Sequence, residues 1–159
     1  MASGLVGDFM SHVEEELRRR WMAALARASA SDVADTVVAM GEPDGVVVMK
    51  GPEAGSIMLQ TRAGGTGRRF NFGEATMSRC VVRLASGTMG FGYALGRDIG
   101  KVRDAAIIDA VMQDLDDPAG GFDRFIAPLV AKHEEADRSA AKEAAKTKVE
   151  FFTLVRGHS

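Results

Sequence analysis

The chain of 159 residues holds one cysteine, Cys80. That excludes an intramolecular disulfide and fits a reducing compartment. No apolar run approaches the roughly 18 residues that a membrane span needs. The opening residues lack the basic start of a secretion signal, and Gly7 and Asp8 interrupt their apolar run,. The expectation is a cytoplasmic protein with no membrane contact. An excess of one charge is also missing. The formal net charge of −2 leaves no global basic field to attract nucleic acid,.

Catalytic signatures are equally scarce. No Gly-x-Ser-x-Gly elbow occurs,. His12 with Glu16, and His133 with Asp137, have the i, i+4 spacing of a shared helix face. Neither pair has a nearby third ligand, and a zinc site needs three or four. No metal is expected. Cys80 shares its strand face with Val82 and Leu84 and reads as an inert core thiol,.

What the chain does contain is enough for one domain spanning residues 1–159. At this length about 70% of the unfolded surface can be buried, and 46% of the residues are hydrophobic. Ser11 and Glu14 fit a capping box, followed by Val13, Leu17, Trp21, Ala24 and Ala28 at helical spacing,. Arg18, Arg19 and Arg20 on that helix fit a solvated face, with phosphate binding as the other reading. Ser29 or Ser31 can cap a second helix carrying Val33, Val37 and Met40, which Gly41 and Pro43 end,.

The period then changes to that of strands. Residues 46–49, 56–63, 68–72, 76–84 and 88–95 predict five short strands, with Lys50-Gly51-Pro52 dividing the first two,. Ser86-Gly87 predicts a tight hairpin turn. Connections this short make neighbouring strands antiparallel. Asp98 caps a helix with Val102, Ala106, Ile107, Ala110, Val111 and Leu115 on its buried side,. Residues 118–121 break the chain, 122–129 form a connector, and a long alanine-rich helix with a thin apolar face runs over about 128–148. The terminal segment 149–155 is apolar and needs a partner surface. The fold expected is α+β: a meandering antiparallel sheet of about five strands flanked by helices, with N-terminal helices and a long C-terminal helix.

Residues 62–98 concentrate the candidates for function. In the turn Gly64-Gly65-Thr66-Gly67-Arg68-Arg69, backbone N–H groups could converge on an anion beside two guanidinium groups. The lysine and following Ser or Thr of a phosphate loop are absent, and a plain hairpin loop explains the glycines equally well. Arg79 and Arg83 point to one strand face, with Arg62, Arg69 and Arg97 at neighbouring strand ends. Phosphates or a partner's acidic residues would suit them, and so would solvent. On residues 88–95, Gly90 and Gly92 alternate with bulky Met89, Phe91, Tyr93 and Leu95. A strand stripped on one face calls for a backbone, ring or ligand against it.

The blocks GGTGRRF, GEATMSRCVVRL and GTMGFGYALGRD resemble the G subunit family of the bacterial carbon–phosphorus lyase core complex. RRRWMAALARAS resembles that family's opening helix, and AAIIDAVMQ, FIAPL and VEFFTLVRG follow in order. The resemblance covers residues from about 20 to 157. It implies a role in organic phosphonate catabolism. The complex makes α-D-ribose 1-methylphosphonate 5-triphosphate from ATP and methylphosphonate, releasing adenine. It implies H, I and J subunits as partners and an accessory role, with no cofactor held by this chain and no catalytic residue to carry over. Such a role makes Gly90, Gly92, Phe151, Phe152 and Leu154 interface candidates, and residues 64–69, Arg79, Arg83 and Arg97 anion-binding or interface candidates. The other reading is a stand-alone phosphate- or phosphonate-binding protein, or a small phosphotransfer enzyme, using the GGTGRR turn. Self-association of the isolated chain is left open.

Overall fold

A computed structural model describes the backbone of residues 3–62 and 66–154, and the side chains of 14–62 and 66–145. In chain order the elements are α1 (Ser3–Arg27), α2 (Ala30–Met40), β1 (Val47–Arg62), β2 (Arg69–Arg83), β3 (Met89–Leu95), α3 (Ile99–Asp114), a helical turn α4 (Pro118–Gly121), a π-helical turn (Phe122–Ile126) and α5 (Ala127–Leu154). The architecture is α+β. The three strands form one antiparallel sheet in the order β1-β2-β3.

Two of the expected strand breaks are continuations. Lys50-Gly51-Pro52 lies inside β1, because β1 is an edge strand and a proline there forfeits no ladder bond,. The register shifts between Val48 and Lys50 and again between Lys50 and Glu53, so the segment is a bulged irregularity,. Gly51 has φ 75°, and a Cβ there would crowd the Arg79 carbonyl oxygen. Gly73-Glu74-Ala75 likewise stays within β2, which runs unbroken from Arg69. Five short strands are therefore three, two of them long.

The helix boundaries follow local chemistry. Ser29 caps α2, its hydroxyl accepting from the Asp32 N–H at 3.1 Å. Asp98 caps α3 by accepting from the Lys101 N–H at 2.9 Å. Gly87, at φ 96°, makes the β2–β3 turn. Other boundaries differ from expectation: the connector expected over 122–129 is the π-helical turn and the start of α5, which runs on past 148 to Leu154. Ser11 is internal to α1, which starts at Ser3. Pro118 opens α4 rather than breaking the chain, since a proline in the first helical turn gives up an N–H that has no helical partner,. Asp117 caps that turn through the Gly120 N–H at 3.0 Å.

The core lies between the sheet and α3. Cys80, Val82, Leu84 and Ala94 point inward from the sheet. On α3, Val102, Ala105, Ala106, Ile107, Ile108, Asp109, Ala110 and Met112 are all buried, so this helix is enclosed on nearly every side. α1 and α2 pack on it from outside through Trp21, Leu25, Val33 and Val37. Phe122, Ile126 and Leu129 close the far end. The helices cover one face of the sheet, and among the described residues the other face stays open.

Candidate functional site

The stripped face of β3 is filled by this chain itself. Gly90 and Gly92 are buried under α3, where a Cβ at Gly90 would collide with the Ala106 carbonyl oxygen and one at Gly92 with the Val102 carbonyl oxygen. Their assignment as partner-interface residues is corrected: the backbone against them belongs to α3. Strand alternation then turns Met89, Phe91, Tyr93 and Leu95 outward, and all four are exposed, Leu95 at 68%,. Beside them on β2 lie Met77, Arg79, Val81 and Arg83, paired with Leu95, Tyr93, Phe91 and Met89. This outer face is an apolar and aromatic surface edged by arginines, the pattern of a surface that another molecule completes.

The arginines do not form one row. Arg79 donates from Nε to Glu53 Oε1 at 2.6 Å on the outer face. Arg83 is exposed at the far end of β2, opposite Val47. Arg97 lines a groove of about 430 Å³ with Ser56, Glu74 and Thr76. Arg62 and Arg69 face each other across the ladder at the end of the β1–β2 hairpin, with Arg68 adjacent. Thr66 and Gly67 lie in that hairpin connection, whereas Gly64 and Gly65 fall outside the described residues. Phe151, Phe152 and Leu154 lie on the backbone of α5, so the terminal segment is helical, and their side chains fall outside the described residues.

A polar cluster that residue patterns did not single out anchors β3 to the helices. Asp109 on α3 is fully buried. Its carboxylate accepts from Arg18 Nε at 3.1 Å, Arg18 Nη2 at 2.8 Å, Trp21 Nε1 at 2.8 Å, the Phe91 backbone N–H at 2.9 Å and Gln113 Nε2 at 3.2 Å. Gln113 also donates to the Met89 carbonyl at 3.0 Å. Through Phe91 and Met89 these side chains satisfy part of the open edge of β3. Hydrogen bonding to Asp109 raises the Arg18 pKa above its ordinary value. The signal in the sequence is an aspartate inside the apolar run AAIIDAVM. The three consecutive arginines separate into three roles. Arg18 holds Asp109, Arg19 pairs with Glu15 and Glu16 at 3.3 and 3.2 Å, and Arg20 lies 4.6 Å from the Phe122 ring centre.

Among the described residues, no cluster of three or more metal-ligating side chains occurs, and no helix is long and apolar enough to cross a membrane. His133 Nε2 lies 3.3 Å from Asp137 as an isolated pair. Burial pushes the Cys80 thiol pKa up, which disfavours the reactive thiolate,.

These features define an α+β protein with its helices on one side of the sheet and the other sheet face open among the described residues, of the kind completed by assembly. The family model described as "Phosphonate metabolism protein PhnG" matches residues 16–157. The chain is also 40% identical over 140 residues to the alpha-D-ribose 1-methylphosphonate 5-triphosphate synthase subunit PhnG of Rhizobium meliloti (strain 1021), covering 88% of this chain and 89% of that relative. The chain belongs to the PhnG family of phosphonate metabolism proteins.

Proposed function

We propose that this chain is an accessory, non-catalytic subunit of an α-D-ribose 1-methylphosphonate 5-triphosphate synthase. In this reading it works with H, I and J subunits while the complex joins methylphosphonate to ATP-derived ribose triphosphate and releases adenine. The observation that carries the reading is the open sheet face. Phe91, Tyr93 and Leu95 are exposed on a sheet that, among the described residues, helices cover on its other side only. Exposing such a face is costly for a monomer and is resolved by a partner's surface. The buried polar groups support an accessory role, because each is committed to the fold. Asp109 anchors the sheet edge, Thr36 donates to the Asp32 carbonyl at 2.8 Å, and Ser78 donates to the Gly96 carbonyl at 2.7 Å.

The test is omission. The other synthase subunits are produced with and without this chain, and adenine release from ATP is followed in the presence of methylphosphonate. The proposal expects turnover only when the chain is present. Full turnover without it would overturn the proposal. Calorimetry of the isolated chain with ATP and with methylphosphonate adds a second arm, in which micromolar binding of either would favour a stand-alone ligand-binding protein.

A further inference from the structure

The β1–β2 hairpin outruns the rest of the molecule. β3 ends at Leu95, opposite Met77, and the Gly96 N–H still donates to the Thr76 carbonyl at 2.8 Å, so from Ile57–Ala75 to Arg62–Arg69 the two strands pair only with each other. Five residue steps make this ribbon about 17 Å long at ~3.3 Å per residue. Neither of its faces is covered. Met58 and Leu59 are successive and point to opposite faces, yet they are 53% and 37% exposed. Phe70 and Phe72 are 48% and 72% exposed, and the register shift between Leu59 and Gln60 leaves Phe72 as the extra residue of a bulge. A two-stranded ribbon with apolar side chains on both faces is marginal in water.

The charges at its end point the same way. Arg62 and Arg69 are direct cross-strand partners, and like charges placed so are unfavourable. Among the described residues neither they nor Arg68 has a carboxylate partner. The glutamates of the ribbon lie at its base, where Glu53 takes Arg79 and Glu74 accepts from the Ser56 hydroxyl at 3.1 Å. Three positive charges thus sit at the tip of a chain whose net charge is −2. Apolar flanks and an uncompensated basic tip ask for an apolar groove that ends in carboxylates.

We infer that the β1–β2 ribbon is a docking arm that inserts into such a groove on another subunit of the synthase. The inference rests on the assembly proposed above. It adds the element that docks and the chemistry of the surface that receives it. Leu59, Phe70 and Phe72 supply the buried contact. Arg62, Arg68 and Arg69 supply orientation and their charge-assisted bonds to the receiving carboxylates.

The test uses the full chain co-produced with the other synthase subunits. Arg69→Glu puts opposite charges across the ladder at Arg62 and leaves the net tip charge too small to dock. The expected result is a free chain at least as resistant to heat as wild type, with the yield of assembled complex reduced at least tenfold. A merely structural arginine would not give that opposition. Phe72→Ser, at a side chain that touches little of its own fold, is the second variant and should also cut assembly at least tenfold with unchanged circular dichroism. If the wild type assembles and both variants assemble equally well, the docking inference is overturned while the subunit proposal stands. If the wild type fails to assemble, both are overturned. If the variants assemble but lose turnover, the tip serves a phosphate-bearing ligand and docking is overturned. Wild-type dimers of the isolated chain that both variants abolish would overturn it in favour of a second copy.

Discussion

Arg18 holds Asp109 in a two-point grip, Nε to Oδ1 at 3.1 Å and Nη2 to Oδ2 at 2.8 Å, across 91 residues of chain. The Asp109 side chain is fully buried, whereas the Arg18 side chain is 35% exposed. The pair ties α1 to α3. Because Asp109 also takes the Phe91 N–H, it ties both to the sheet edge. Phe91 sits on the open face and its ring lies 5.7 Å from the Arg18 guanidinium carbon. The packing of the helices and the presentation of the open face therefore share one set of bonds.

Asp109→Ala leaves Trp21 Nε1, the Phe91 N–H and Arg18 without their shared acceptor. Removing one partner of such a buried pair costs about 3 kcal/mol. Arg18→Ala exposes the same loss from the other side, so the double variant costs less than the sum of the single ones. Urea denaturation of the four proteins checks both statements. Additive losses would show that the two residues act independently.

Gly90→Ala and Gly92→Ala force a methyl group into the α3 backbone. Each is expected to cost about 3 kcal/mol, at the upper end for overpacking. Gly55→Ala and Gly73→Ala are the controls, because a Cβ at either meets nothing within 4 Å. They are expected to stay within about 0.5 kcal/mol of wild type. Thermal unfolding of the four variants separates the two pairs.

Acid should weaken one inter-element contact in particular. Ser86 Oγ, at 2.5 Å, and the Thr88 hydroxyl donate to Asp114 and hold its pKa below the usual aspartate value. A depressed carboxylate stabilises the fold above its unfolded pKa, and that contribution disappears as pH falls through the folded value. The loss therefore begins near pH ~4 and grows below it. Urea midpoints measured from pH 6 down to pH 3 should fall more steeply for wild type than for Asp114→Asn. Equal slopes would contradict the assignment.

Leu95→Glu alters a side chain that is 68% exposed at the open face. The isolated chain should keep its melting temperature, since surface changes of this kind shift stability by within about 0.5 kcal/mol. In the assembly a charge at that position is expected to weaken association roughly thirtyfold, the effect of losing about 2 kcal/mol of interface contact. Titration of the labelled variant against the other subunits measures it.

The starts of α2 and α3 are legible in the sequence because a cap is a local bond: Ser29 and Asp98 bind backbone N–H groups three residues on, whereas the Ser11 box falls inside α1. The strand count is not: Pro52 signals a break only if its strand is interior, and the edge position of β1 is a tertiary fact, while Gly73 is carried through by the pairing of β2 with β1. The glycine stripe announces a close backbone approach. Whose backbone it is depends on where α3 returns, and nothing local to residues 88–95 encodes that. Arg18 and Arg20 resemble a solvated face until Asp109 and Phe122 are placed against them. The family blocks at residues 62–98 identify the assembly context that geometry alone leaves open.

The most direct test of the account is native mass spectrometry of this chain co-produced with the other synthase subunits. The account predicts a single multisubunit species containing this chain in fixed ratio, with a larger free fraction of the chain for Leu95→Glu. A chain that stays monomeric and well behaved beside an otherwise complete, active synthase would contradict it.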